Sequence, residues 1–323
     1  MSEAKLTIEA IHQAQSRLQG QAQRTPLLRF DPLDQACGAA IFVKPENLQK
    51  TGSFKFRGAY NAIAQSAAQH VVAFSSGNHA QGVTCAAQLL GKSATIVMPA
   101  DAPEIKINNC LAFGAKLELV DRQRDDREAI AVKIASETNA ELIKPYDDLR
   151  VMAGQGTAGL EIAGDFQAQG MTPDAALICT GGGGLVSGCA VALKAAFPNI
   201  DIFTVEPAGY DDWCLSLKAG KPVPHESTSQ SICDALLSKQ PGTVTFATAA
   251  PLLKGALAIT DDEAAQAVRF AAINLKLVLE PGGAAALAAA LTRKIDLTGK
   301  TVAVMLSGGN IDPAILASMI NGS

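Results

Sequence analysis

The stretch AALICTGGGGLVSGCAVAL, residues 175 to 193, carries no charge. Its length would suit a membrane span, but four adjacent glycines make it a poor helix and exclude that reading. It divides instead into a strand, Ala175–Cys179, a glycine turn, Gly181 to Gly184, and a helix, Leu185–Ala195. A buried strand that turns through glycines into a helix is the repeating unit of a parallel α/β sheet. The same alternation recurs along the chain. Short apolar runs at Ile41–Val43, Val71–Phe74, Ala94–Met98, Lys116–Val120, Leu142–Lys144, Ile202–Val205 and Val302–Leu306 read as further strands. Helical patterns follow nearly all of them, as at Ala80–Leu90 and Asp262–Asn274. The expected fold is α/β, with two domains of mostly parallel twisted sheet and flanking helices. Residues 63–147 read as a small domain, and residues 1–62 with 148–323 as a large one. Ligands of such sheets bind beyond the carboxyl ends of strands, so the strand-to-helix turns carry the functional information.

Four turns stand out. Glycines let backbone N–H groups close around an anion, and a helix start adds a favourable dipole. The spacing of Gly181, Gly182, Gly183 and Gly184 fits neither a dinucleotide fingerprint nor an ATP loop, which leaves a compact monophosphate. A merely tight turn is the bland alternative, and four glycines are a high entropic cost for one. In KTGSFKFRGAY, residues 50 to 60, Lys55 sits between two phenylalanines. Ser53 can cap a helix from Phe54 to about Ala67, with Arg57, Asn61 and Gln65 on its wet side. Lys55 has only Ala59 and Ala62 above it, leaving room for something bulky. It could simply snorkel to water. Near apolar groups, however, a lysine loses proton affinity and becomes a usable nucleophile. SSGNH, Ser75 to His79, places two hydroxyls and an amide at a helix start, which suits a carboxylate or a phenolic oxygen, or only an N-cap. SGGN, Ser307 to Asn310, is weak by itself. EPAGYDDW, residues 206 to 213, holds Glu206, Asp211 and Asp212 and could bind a hard cation or be a solvated acidic loop.

Composition bounds the rest. The 323 residues have a net charge of −4 and no basic cluster, which argues against nucleic acid and anionic membranes. The seven cysteines are scattered singly, consistent with reduced thiols and a cytoplasmic protein. The N-terminal residues lack a signal-peptide pattern.

Taken in order, SFKFRGA, SSGNHAQG, GGGGLVSG and LSGGN resemble the serine/threonine dehydratase and serine racemase family of pyridoxal phosphate enzymes, the fold-type II or tryptophan synthase β-like class. RTPL, KPENLQKTGS, AGQGT and EPGGAA extend the resemblance from about residue 24 to 312. The resemblance implies pyridoxal 5'-phosphate in the cleft between the domains, joined to Lys55 as a Schiff base, with Phe54 packed on its ring. Gly181 to Gly184 would cup the phosphate, Asn78 would bond the phenolic oxygen and Ser307 would face the pyridine nitrogen. Ser75, Ser76, Gly77 and His79 would bind the substrate carboxylate. Lys55 would remove the Cα proton, and Ser76 would be the opposite-face acid/base of a racemase. Glu206 and Asp212, with the Tyr210 carbonyl, match the family's site for Mg2+, Mn2+ or Ca2+. The implied assembly is a homodimer or homotetramer acting on a small amino acid. The chain ends soon after SGGN, without the regulatory domain of biosynthetic threonine dehydratases, so a catabolic-type enzyme is expected. The expected activity is that of an L-threonine/L-serine ammonia-lyase, with serine racemase and 3-hydroxyaspartate ammonia-lyase as alternatives. A ligand-binding module that had lost catalysis is disfavoured by the presence of Lys55.

Overall fold

The computed structural model describes residues 5–75, 77–102, 104–121, 124–227 and 230–322. Its strands, in chain order, are β1 (Leu28–Arg29), β2 (Ala40–Pro45), β3 (His70–Phe74), β4 (Ser93–Pro99), β5 (Lys116–Val120), β6 (Glu141–Leu142), β7 (Ala175–Cys179), β8 (Asp201–Pro207), β9 (Gly255–Ile259) and β10 (Thr301–Leu306). They form two sheets, ordered β1-β2-β10-β7-β8-β9 and β5-β4-β3-β6. All pairings are parallel except β1 with β2. This is the α/β architecture that the alternation predicts. The four strands of the second sheet all lie between residues 70 and 142.

Period-two alternation explains how each sheet is covered on both faces. In the six-stranded sheet Ile41, Val43, Leu177, Val302 and Val304 enter one core, while Phe42, Ile178, Ala303 and Met305 enter the other. In the four-stranded sheet Val71, Ala73, Ile96 and Met98 point one way, and Val72 and Val97 the other. The alanine-rich run near residue 286 is the helix Pro281–Leu291, almost wholly buried. Small side chains let it lie close against the strands.

Three local expectations change. The helix after the Thr-Gly-Ser turn runs Lys55–Ala64, and Ser53 does not cap it. Ser53 pairs with Gly308 in an isolated bridge instead, and its hydroxyl has no hydrogen-bond partner among the described residues. Arg57 and Asn61 are buried, because the helix Leu149–Ala168 covers the face expected to be wet. A side chain on Gly154 of that helix would strike the Arg57 carbonyl, so the close approach requires glycine. Finally, β1 and β9 escaped the strand reading. One is two residues long, and the other, GALAI, has a single β-branched residue.

Candidate active site

The expected turns converge. The SSGNH, glycine and SGGN loops follow β3, β7 and β10 at their carboxyl ends. The Lys55 segment is knitted to the SGGN loop by Phe54 N–H donating to Ser307 O at 3.1 Å and Gly309 N–H to Gly52 O at 2.9 Å. The Asn310 amide donates to Thr51 O and to Asn78 Oδ1, both at 2.7 Å. Asn78 Nδ2 in turn donates to Glu280 Oε1 at 2.5 Å. Glu280 N–H donates to Gly308 O at 3.2 Å, and Ser307 N–H to Gly283 O at 3.1 Å. EPGGAA is therefore joined to these loops: Glu280, to which the motif alone assigns no role, is buried among them.

Lys55 is half-buried. Its Nζ donates to Pro145 O at 2.9 Å and lies 5.3 Å from the centroid of the half-buried Phe54 ring. Desolvation lowers its amine from 10.5 to about 8, and the nearby Glu280 carboxylate opposes the shift. Burial raises Glu280 to about 7, with Asp234 reinforcing the shift and the Asn78 amide opposing it.

The glycine loop leads into the helix Gly184–Ala196. Gly181 O accepts from Trp213 Nε1 at 2.8 Å, and Gly182 O from the Thr245 hydroxyl at 2.7 Å and Gly242 N–H at 3.1 Å. In a trans peptide plane the next N–H points opposite the carbonyl. Carbonyls turned outward therefore direct the Gly182 and Gly183 N–H groups inward, beside the helix start. Gly183 has φ +100°, and a side chain on it would strike Trp213. One on Gly182 would meet the Tyr146 ring. These features make an anion cradle. Together with a proton-poor lysine amine, the Asn78 amide and the buried Ser307 hydroxyl, they fit a flat, phosphorylated aldehyde.

The SSGNH loop is only partly as expected. Gly77 is the N-cap of the helix Asn78–Leu89 and has no side-chain cap, so the first N–H groups can meet an anion. The Ser75 hydroxyl accepts from Gly77 N–H at 3.1 Å. Ser76 lies outside the described residues. His79 is buried and pairs Nε2 with Ile143 O at 2.9 Å, while its Nδ1 has no partner among the described residues. Burial, with the Lys55 charge adding, lowers it to about 3 and keeps it neutral.

Glu206 and Asp212 are fully buried. Glu206 Oε1 accepts from Trp213 N–H at 3.1 Å, but Glu206 Oε2 and both Asp212 oxygens have no partner among the described residues. Burial and the Asp212 charge push Glu206 well above the usual carboxylate range, and burial raises Asp212 to about 7. Such a pair requires a proton or a cation, and its oxygens suit a hard cation. Two side chains are too few for a full shell; among the described residues no group of three His, Cys, Asp or Glu side chains could hold a metal. The ring of Tyr210, expected to lend its carbonyl, packs tilted against His225, with ring centroids 4.3 Å apart and an interplanar angle of 54°.

A cavity of about 160 Å3, lined by Phe74, Lys144, Pro145, Tyr146, Pro241 and Gly242, opens beside the carbonyl that receives Lys55. A larger groove of about 350 Å3, around Gln266, Phe270 and Leu291, contains none of the motif residues.

Parallel strands ending in an anion cradle and a lysine with lowered proton affinity define an α/β enzyme built around a phosphorylated cofactor. The family model "Pyridoxal-phosphate dependent enzyme" matches residues 18–308, and the chain belongs to that family. It is 41% identical to the L-threo-3-hydroxyaspartate ammonia-lyase of Pseudomonas sp, across 96% of this chain and 97% of that one. It is 39% identical to the L-threonine ammonia-lyase of Thermotoga maritima, across 98% of this chain and 78% of the relative. The structure of maize serine racemase superposes with a TM-score of 0.91 at 34% identity, covering 99% of this chain and 98% of that one. Among the described residues, no helix is long and apolar enough to cross a membrane.

Proposed function

We propose that the chain is an ammonia-lyase for L-threonine and L-serine, releasing a 2-oxo acid and ammonia. The observation that carries this reading is the Lys55 amine. Its Nζ donates to Pro145 O, next in the chain to the Tyr146 ring that packs against Gly182, and it is lowered to about 8. Pyridoxal 5'-phosphate would attach to Lys55, with its phosphate at Gly181 to Gly184, its phenolic oxygen at Asn78, its ring against Phe54 and its nitrogen toward Ser307. When bound it supplies an electron sink for charge developing at Cα. Ser307 protonates a ring nitrogen far less than a carboxylate would, which favours loss of a β-substituent over transamination.

Lys55 serves as the base that takes the Cα proton. A free amine near 8 is neutral in roughly a fifth of molecules at physiological pH, against about one in a thousand for an ordinary lysine near 10.5, so the base form is far more available. The N–H groups at the start of the helix Asn78–Leu89 hold the substrate carboxylate, with Ser75 shaping the loop. Glu280 and Asn310 fix the Asn78 amide through the hydrogen bonds described above. Water leaves from Cβ and water returns in hydrolysis, so the net products are the 2-oxo acid and ammonia. Elimination needs a base on one face of Cα; racemisation also needs a proton donor on the other, the role that falls to Ser76. That asymmetry supports the lyase reading. Serine racemase and 3-hydroxyaspartate ammonia-lyase are also among the activities named for the relatives. We read residues 1–62 with 148–323 as the cofactor domain and 63–147 as the smaller one, in a homodimeric or homotetrameric cytoplasmic enzyme that also binds Mg2+, Mn2+ or Ca2+ at Glu206 and Asp212.

The test is product analysis with L-threonine, L-serine and L-threo-3-hydroxyaspartate. Formation of 2-oxobutanoate or pyruvate is expected to exceed any interconversion of L- and D-serine. Faster interconversion would replace the lyase with a racemase.

A further inference from the structure

One ion pair at the site has no part in the chemistry above. Lys106 lies on the helix Glu104–Ala112, beside the four-stranded sheet. Its Nζ reaches Asp234 Oδ2 at 2.5 Å. Asp234 opens the short turn Asp234–Leu236, whose residues lie against the other side of the site: a side chain on Gly181 would meet Leu236, and one on Gly282 would meet Ala235 and Leu236. The pair therefore spans from one sheet's helices to the wall of the glycine cradle. The two members are unequally exposed, at 11% for the Lys106 side chain and 54% for Asp234. A methyl group built on Gly77 would find Lys106 Nζ 3.9 Å away and, among the described residues other than its chain neighbours, no other heavy atom within 4 Å. The space over the carboxylate loop thus opens directly onto this ammonium. Glu280, inside the site, feels both charges, raised by Asp234 and lowered by Lys106.

We propose that the Lys106–Asp234 pair selects the substrate by the charge of its side chain, admitting neutral β-hydroxy amino acids and disfavouring diacids. This rests on the ammonia-lyase reading. A substrate held by its α-carboxylate at Gly77 and Asn78 brings its side chain into a space whose cation Asp234 already neutralises. A neutral side chain leaves that pair intact. The second carboxylate of 3-hydroxyaspartate has two options. It can displace Asp234 from Lys106, leaving Asp234 unpaired, or it can lie beside both Asp234 and Glu280. The first breaks an existing ion pair, and the second sets like charges side by side. Removing the Asp234 charge reverses the preference, because Lys106 then awaits an anion.

The experiment compares kcat/KM for L-threonine and L-threo-3-hydroxyaspartate in the wild type, Asp234→Asn, Asp234→Ser and the double variant Lys106→Gln/Asp234→Asn. Calorimetry of succinate, a diacid with no amine, is run on the same proteins. The wild type should favour threonine and bind succinate weakly. Both Asp234 variants should shift the ratio toward hydroxyaspartate by about tenfold or more, the scale of a relieved like-charge contact, and tighten succinate binding. The double variant should lose both gains. An unchanged ratio with unchanged succinate binding in folded Asp234 variants overturns the proposal. A wild type that turns over neither amino acid overturns the lyase reading instead, while succinate binding still decides the role of the pair.

Discussion

Two clusters of buried charge meet at the helix Lys55–Ala64, and they are built in opposite ways. Behind it, Arg57 donates to both oxygens of Glu46, at 2.7 and 2.8 Å, and to both oxygens of Glu161, at 2.7 and 2.8 Å. It also reaches Thr157 Oγ1 and Gln23 O. Lys44 adds bonds to Glu161 and Thr25 O, each 2.6 Å, and the Thr25 hydroxyl donates to Glu46. Two cations meet two anions, and Arg57 raises no demand that its neighbours leave unmet. Its charge holds Glu46 below the usual carboxylate range although burial pushes the other way. In front, Lys55 has one carbonyl and one ring and Glu280 has one amide; after β8, Glu206 and Asp212 likewise leave three oxygens without partners among the described residues. There burial wins and moves groups toward their neutral forms. A satisfied cluster fixes a structure, while one that is buried and incompletely paired is poised for a ligand or a proton.

The contrast can be broken most directly at Lys55. Lys55→Ala should abolish borohydride fixation of the cofactor and lower turnover by about 10^3-fold or more, the scale of losing a positioned base. The melting temperature of the cofactor-free protein should barely change. Near-normal turnover without added amine would remove Lys55 from the chemistry. Arg57→Met should do the reverse. It leaves Glu46 and Glu161 without their main partner and should cost about 3–5 kcal/mol in urea unfolding of the cofactor-free protein. A loss below about 1 kcal/mol would show that the rear cluster is no firmer than a surface pair.

Gly183→Val tests where the two demands coincide. Positive φ and the Trp213 ring both oppose a side chain, so stability should fall by about 1–3 kcal/mol. Cofactor should also be lost on dialysis. Retention of cofactor would remove this loop from the phosphate site. Adding Mg2+, Mn2+ or Ca2+ should raise the melting temperature by a few degrees, because an ion that binds only the folded state stabilises it. Asp212→Asn should remove that response. No response in the wild type would mean that the Glu206–Asp212 pair holds a proton instead.

The smallest effect is in pH. The folded Lys55 amine, near 8, lies below its unfolded 10.5, so the folded chain gives up its proton first. The attacking form is the free amine, and capture of pyridoxal phosphate by cofactor-free protein should quicken as pH rises through about 8. Stability from this group should likewise rise between about 8 and 10.5, where the unfolded state still holds the proton. A capture rate that is flat across that range would place the amine outside the protein's influence.

Much of this site is local chemistry and is written in order along the chain. Four glycines before a helix, an amide at a helix start and a lysine after a turn each announce themselves, because backbone conformation and helix ends follow from a few adjacent residues. Strand alternation likewise fixes which face of β2, β7 and β10 is which. Burial by partners distant in sequence is not written locally. Arg57 looks wet on its own helix and is buried because the helix Leu149–Ala168 lies over it. His79 could be read from its loop as a carboxylate binder or as a structural histidine, and the Nε2 bond to Ile143 O comes from a strand end 64 residues away. Glu280 stands 202 residues from Asn78 and Lys106 stands 128 from Asp234, and no spacing rule joins them. Whether a charge is satisfied, exposed or left poised depends on which elements pack against it, and only the tertiary structure decides that.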